Sequence, residues 1–333
     1  MKPYAAYAIG AALVDTEIQV TDAELATMNV EKGMMTLVDQ ARQRDILTTL
    51  SDHLIQANHA SGGSAGNSMI ATAMMGAPTY MSCKVAEDAD GDIYLADLEA
   101  SGVAHGLTER STDGVTGKCI VLITPDAERS LNTHLGISET LSTDEVDEAA
   151  IKDSDWVYLE GYLVTSPTGH AAALKTKALA ETHDVKTAVS FSDPGMVKFF
   201  RDHMAARVEG GVELVFGNES EALEWGQCDD LEGAIAAIQQ VAKRFVITLG
   251  AEGAMTWDGE TLHRVAAQPV EAVNTNGAGD MFAGAFLYAL SRGETDLRAT
   301  EYATLAAAEV VKYFGPRLER DACLALRRQF FGD

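Results

Sequence analysis

Basic residues are scarce in this sequence: 25 lysines and arginines stand against 50 aspartates and glutamates, a formal charge of −25. A field of that sign repels phosphate backbones, which excludes nucleic acid as a partner. Cysteine is scarce as well. Cys83, Cys119, Cys228 and Cys323 are scattered without a C-x-x-C pair or a nearby histidine cluster, so neither a zinc site nor a redox motif is supported, and free thiols in a reducing compartment are expected. The apolar run near the start is too short to cross a membrane and ends at Asp15; it reads as a buried first strand, with the cytoplasm as the expected location and no membrane partner. The chain has only 7 prolines and no Pro-rich linker, internal repeat or low-complexity tract. What it does have is 47% hydrophobic residues and 29 glycines over 333 positions. That composition suits one large core with a small appendage.

Strand-length apolar runs alternate with helical spacing. Tyr7 to Val14 is followed by a helix over 67–75, a strand from Thr79 to Val85 and a helix over 91–101. The rhythm resumes with strands at Trp156 to Glu160, Thr187 to Ser192, Leu214 to Phe216 and Arg244 to Leu249, and helices over 168–183, 196–206, 219–225 and 231–243. Helices over 279–292 and 296–314 fill the last third. This alternation predicts a three-layer α/β/α domain with a mainly parallel sheet covered on both faces. Residues 16–39 and 106–135 break the order with short β-branched runs such as Ile18-Gln19-Val20 and Cys119-Ile120-Val121-Leu122-Ile123. They predict a small antiparallel sheet built from two insertions, placed as a lid over the strand ends where doubly wound sheets bind ligands. The large unit then takes 1–15, 40–105 and 136–333, and the lid 16–39 and 106–135.

Five segments carry candidate chemistry. Asn274-Thr275-Asn276-Gly277-Ala278-Gly279-Asp280 precedes an apolar helix, and its small residues leave backbone N–H groups open at the positive helix end, where a transferring anion can be held. Asp280 beside them can accept a proton from a hydroxyl, or can simply cap the helix. Ser61-Gly62-Gly63-Ser64-Ala65-Gly66-Asn67 offers close backbone approach and an amide that can both donate and accept, or it is a tight strand-to-helix turn. Asp15 is either a hydroxyl acceptor at a strand end or an ordinary loop carboxylate. Asn218 and Glu221, three residues apart at a helix start, can hold a hydrated Mg²⁺ or form a capping box. Thr248-Leu249-Gly250-Ala251-Glu252-Gly253 is a strand and glycine turn suited to nucleotide phosphates.

Taken in order, GGSAGN, GNESE, TLGAEG and TNGAGD resemble the ribokinase-like (PfkB) family of sugar and nucleoside kinases over nearly the whole chain. The resemblance implies ATP and Mg²⁺ as cofactors and a nucleoside or sugar as substrate, on a protein that is a monomer or homodimer. It makes Asp280 the catalytic base, with Gly277, Ala278 and Gly279 as the anion hole. Asp15, Gly62, Gly63 and Asn67 fall on sugar-hydroxyl contacts. Asn218 and Glu221 organise Mg²⁺ and phosphate, while Thr248, Gly250, Gly253 and Thr275 fall on the nucleotide. Thr116-Gly117-Lys118-Cys119, Glu128-Arg129-Ser130-Leu131 and Glu160-Gly161-Tyr162 are similar to the adenosine kinase branch. In that branch the counterpart of Arg129 approaches the transferring phosphates, and residues near Leu37, Leu131 and Tyr162 surround the base, though ordinary core packing explains any one of them equally well.

Two positions depart from the pattern. Asn274 stands where the family usually has aspartate, which weakens any monovalent-cation site that depends on that carboxylate, and Ala11 replaces an asparagine of nucleoside-binding relatives. Phosphorylation of a ribonucleoside 5′-hydroxyl, adenosine above all, is the expected function. A free-sugar kinase acting on ribose, fructose or a keto-sugar acid is the alternative, and a silent nucleoside-binding protein is a third reading. A dinucleotide-dependent oxidoreductase fails because Gly10-Ala11-Ala12-Leu13 lacks the G-x-G-x-x-G turn.

Overall fold

A computed structural model describes residues 2–53, 58–107 and 110–333. Residues 54–57 of the expected large unit and 108–109 of the expected lid lie outside the described residues. Among the described residues fourteen strands run in chain order: β1 Tyr4–Ile9, β2 Leu13–Gln19, β3 Met35–Leu37, β4 Asn58–Gly62, β5 Thr79–Ser82, β6 Val103–Ala104, β7 Gly117–Ile123, β8 Arg129–His134, β9 Ser154–Leu159, β10 Lys186–Ser190, β11 Val212–Asn218, β12 Ala242–Thr248, β13 Ala254–Trp257 and β14 Leu262–Val265. Nine form one sheet in the order β14-β13-β12-β11-β10-β9-β1-β5-β6, in which only β13 runs against the others.

Period-two side-chain alternation explains why helices cover both faces of this sheet. Ala6 and Ala8 of β1 enter the apolar cluster beneath the helices Ser64–Met75 and Ala278–Ser291, while Tyr7 and Ile9 enter the cluster beneath Pro167–Thr182 and Arg201–Val208. The helices occupy the expected places with shifted ends. The stretch predicted as one helix over 196–206 is two, Pro194–Phe199 and Arg201–Val208. The helix predicted to reach 243 stops at Gln239, because Ala242 already pairs with Val212 in the sheet. Among the described residues no helix is long and apolar enough to cross a membrane.

The second sheet has the order β3-β8-β7-β2-β4. It is mixed rather than antiparallel, since β2 runs parallel to β7 and β3 parallel to β8. The cause lies at the start of the chain. The apolar run read as one strand from Tyr7 to Val14 is two: β1 ends at Ile9 in the large sheet, and β2 begins at Leu13 in the small one. Both are buried on both sides, so hydrophobicity alone does not mark the change. The small sheet also recruits β4 and the helix Gln40–Thr49, whose Ile46 packs with Ile18 and Ile120, although the sequence assigned both elements to the larger unit.

Gly10 sits at the junction between the two sheets. A Cβ there would meet the Ala65 methyl and the Glu160 carboxyl. Gly10→Ala is therefore expected to lower stability by about 1–3 kcal/mol, as overpacking of a tight interior does. Urea unfolding measures it, and an unchanged midpoint would show that the junction has room to relax.

Candidate active site

Between the carboxyl ends of the large sheet and the small sheet lies a cleft of about 680 Å³. Glu160 follows β9, Ser190 ends β10, Asn218 ends β11 and Thr248 ends β12, and all four line it; Leu13, Asp15, Cys119 and Leu131 reach it from the small sheet. A parallel sheet gathers its strand ends on one edge, which is why segments far apart in sequence meet there.

The helix Ala278–Ser291 begins at Gly277, which has φ +74° and supplies no side-chain cap. A Cβ at Gly277 would collide with the Pro316 carbonyl, so this turn admits only glycine without rearrangement. Asp280, in the first turn, does not cap its own helix. Its carboxyl is held from the neighbouring helix, accepting from Ser64 Oγ at 2.6 Å and from Asn67 Nδ2 at 3.0 Å. Burial raises its pKa above the usual aspartate range, while those two hydrogen bonds and the charges of Arg129 and Arg317 oppose the rise. An ionised carboxylate in this setting is a proton acceptor facing open N–H groups.

Asp15 lies within β2 instead of after a first strand, and it is buried. Burial, and after it the charge of Glu17, pushes its pKa up to about 7. Gly63 and Asn67 line the cleft beside it, but Gly62 does not. Gly62 ends β4 behind Asp15, and a Cβ there would overlap the Asp15 carboxylate, so its lack of a side chain makes room for the acid.

Asn218 and Glu221 form the capping box that the spacing allowed: Glu221 accepts from the Asn218 backbone N–H at 3.0 Å and from Nδ2 at 2.7 Å, and Asn218 Oδ1 accepts from the Glu221 N–H at 2.9 Å. Both also line the cleft, and burial pushes the Glu221 carboxyl up to about 7. Thr248, Gly250 and Gly253 line the same space, together with residues of the loop 267–272, against whose start Gly253 packs. Thr275 donates its hydroxyl to the Ala127 carbonyl at 2.9 Å, which ties the Gly277 turn to the β7–β8 hairpin that carries Arg129. Leu37, Leu131 and Tyr162 also line the cleft, and the Tyr162 hydroxyl donates to the Ser192 carbonyl at 3.1 Å.

Three side chains escaped the sequence reading. The buried Glu160 carboxylate accepts from the N–H groups of Ala11 at 2.9 Å and Ala65 at 2.7 Å, and so joins β1 to the helix that carries Ser64 and Asn67. Glu17 accepts from Asn274 Nδ2 at 3.0 Å, from Asn276 Nδ2 at 2.9 Å and from the Gly315 N–H at 2.7 Å. The other end of the Asn274 amide accepts from the Asn276 N–H at 2.8 Å, so both ends are engaged within the protein. Arg317 donates to Asn67. The only local signal for it is its place after a Gly-Pro turn.

The described residues contain no cluster of three or more His, Cys, Asp or Glu side chains arranged for a metal. A model of the pfkB family of carbohydrate kinases matches residues 33–323. Adenosine kinase of Saccharomyces cerevisiae is 28% identical over 330 residues, covering 92% of this chain and 95% of that protein. Among solved structures, a probable sugar kinase from Rhizobium etli superposes with a TM-score of 0.93 at 31% identity, over 100% of this chain and 99% of that one. Adenosine kinase from Sinorhizobium meliloti does so with a TM-score of 0.92 at 31% identity, over 98% and 99%. The fold is ribokinase-like, and the chain belongs to the pfkB family of sugar and nucleoside kinases, which are phosphotransferases.

Proposed function

We propose that this protein transfers the γ-phosphoryl group of MgATP to the 5′-hydroxyl of a ribonucleoside, with adenosine the preferred acceptor. The observation that carries the proposal is the cleft itself. A half-buried carboxyl, Asp280, is held by two neutral donors at the N-terminus of a helix, next to an apolar compartment containing Leu13, Leu37, Leu131 and Leu135. A free sugar has no use for such a wall, whereas a purine does. In this reading Asp15 and Asn67, which line the same cleft, take the ribose hydroxyls.

In this reading Asp280 accepts the proton of the attacking hydroxyl, and the N–H groups from Gly277 to Gly279 stabilise charge on the phosphoryl oxygens. Arg129 adds a cation on the opposite side. The residues present fit the nucleotide and its metal: Gly250 leaves backbone exposed along one wall, and Glu221 is a carboxyl lining the cleft beside the Asn218 amide. Mg²⁺ keeps most of its waters, so two such groups with the phosphates suffice, and the ion supplies charge neutralisation. The small sheet, joined to the large one through the β1–β2 junction, acts as the lid that excludes water.

A free-sugar kinase is the second reading. It is favoured by the two buried carboxyls, Asp15 and Glu160, that face the cleft, and by the sugar-kinase relative from Rhizobium etli. ADP release measured with adenosine, inosine, guanosine, ribose and fructose separates the two. Turnover with adenosine and none with ribose is expected; turnover with a free sugar alone would replace the nucleoside reading.

A further inference from the structure

Arg317 belongs to none of the segments singled out by the sequence, yet it is bonded into the site. Its side chain is 9% exposed. Nη1 donates to Asn67 Oδ1 at 2.6 Å and to the Ser61 carbonyl at 2.6 Å, and Nη2 donates to Asp97 Oδ2 at 2.6 Å and to Ser61 Oγ at 3.1 Å. The turn just before it is fastened on both sides: the Gly315 N–H donates to Glu17, and the Pro316 carbonyl packs against Gly277.

A primary amide has one accepting end and one donating end, and a guanidinium can only donate. Because Arg317 donates to Asn67 Oδ1, the Nδ2 end is the one left to face Asp280, where it donates to Oδ2 at 3.0 Å. The flipped amide would set N–H against N–H on one side and oxygen against carboxylate on the other. Arg317 thus donates to Asp97 on one side and to Asn67 on the other, and Asn67 donates onward to Asp280, so every bond from the guanidinium to the carboxyl runs the same way.

We propose that Arg317 is a positioning residue for phosphoryl transfer, which orients the Asn67 amide and through it the Asp280 carboxylate. The proposal rests on the reading of Asp280 as the base. Arg317 also acts through charge. The cations near Asp280 are Arg129 and Arg317, the acids coupled to it are Asp15, Glu160 and Glu221, and the phenols Tyr158 and Tyr162 stay neutral. Arg317 is one of two cations holding the Asp280 pKa down against its burial, so removing it moves that pKa upward.

Steady-state kinetics across pH, with MgATP and the best acceptor of the substrate panel, test this on the full chain for Arg317→Met, Arg317→Lys, Asp97→Asn and Asp280→Asn, alongside thermal unfolding. Arg317→Met is expected to lower kcat by about tenfold to a hundredfold through misplacement of the base. Its KM for MgATP stays unchanged, and the acid limb of kcat moves to higher pH. Arg317→Lys, which keeps one charge and one donor toward Asn67, is expected to recover part of both effects. Asp97→Asn, which loosens the guanidinium without removing it, should give a smaller shift in the same direction and keeps the test open if Arg317→Met does not fold. Wild-type kcat and acid limb in the Arg317 and Asp97 variants, with Asp280→Asn inactive, would overturn the proposal and leave the base in place. So would a lower melting temperature with an unmoved acid limb and no rescue by lysine, because that is a structural role. An active Asp280→Asn would bring down the parent reading and this one with it.

Discussion

Asp280→Asn is expected to lower kcat by about 10²–10⁴-fold, the range in which a positioned general base contributes. The substitution keeps the shape of the side chain and can still satisfy Ser64 and Asn67 by turning its amide, so the helix and the Gly277 turn should survive. What is lost is the ability to take a proton. Acceptor binding, followed by calorimetry or equilibrium dialysis, should therefore stay close to wild type while turnover collapses. Residual activity near wild type would mean that the hydroxyl loses its proton elsewhere, with Asp15 and Glu160 the next carboxyls in the cleft. In the wild-type enzyme the rate should fall on the acid side as Asp280 becomes protonated. Burial places that limb above the pH at which a free aspartate would protonate.

Arg129→Met is the second large effect. Arg129 opens β8, lines the cleft, and has one ion pair among the described residues, a long 3.8 Å contact with Glu128. Its charge also reaches Asp193, Glu221, Tyr162 and Asp280. A guanidinium so loosely matched at rest is available to charge that develops on a phosphoryl group in flight. Its removal should cost about 10²–10³-fold in kcat, the loss seen when one preorganised donor to a transition-state charge is deleted. Acceptor affinity should change little, because a methionine in its place keeps the stem that packs along the hairpin. A variant that loses acceptor affinity and keeps kcat would assign Arg129 to substrate binding instead.

These expectations depend on residues that differ in how visible they were beforehand. Asp280, Gly277 and Asn67 could be read from the sequence because their chemistry is local: glycines before a helix, and a carboxylate or amide in its first turn. The alternating strands and helices likewise announced a parallel sheet, since each element carries its own period. Asp15 was placed on the wrong element, because the switch from one sheet to the other at Gly10 happens inside a continuous apolar run. Gly62, read as a ligand contact, has a second role that the sequence does not announce: its missing side chain leaves room for the Asp15 carboxyl. Neither position could be resolved without knowing which strand lies alongside.

Glu160, quoted only as part of a motif, and Arg317 were given no role in the sequence for a different reason. A glutamate after a strand and an arginine after a Gly-Pro turn are common surface residues, and only tertiary contacts separated in the sequence, such as Arg317 with Asn67, remove them from water. The Asn218 and Glu221 pair shows the converse. Of its two sequence readings, the capping box is present, and the Mg²⁺ reading stays a proposal for a pair that also lines the cleft.

The most direct test of phosphoryl transfer to a nucleoside is to identify both products of one reaction. Wild-type protein is incubated with MgATP and adenosine, and ADP and nucleotide monophosphate are quantified together by chromatography, with ³¹P NMR to locate the new phosphoester. One 5′-AMP formed for each ADP released is the expected result. ADP released without a phosphorylated nucleoside, or a phosphoester found only on a free sugar, would contradict it.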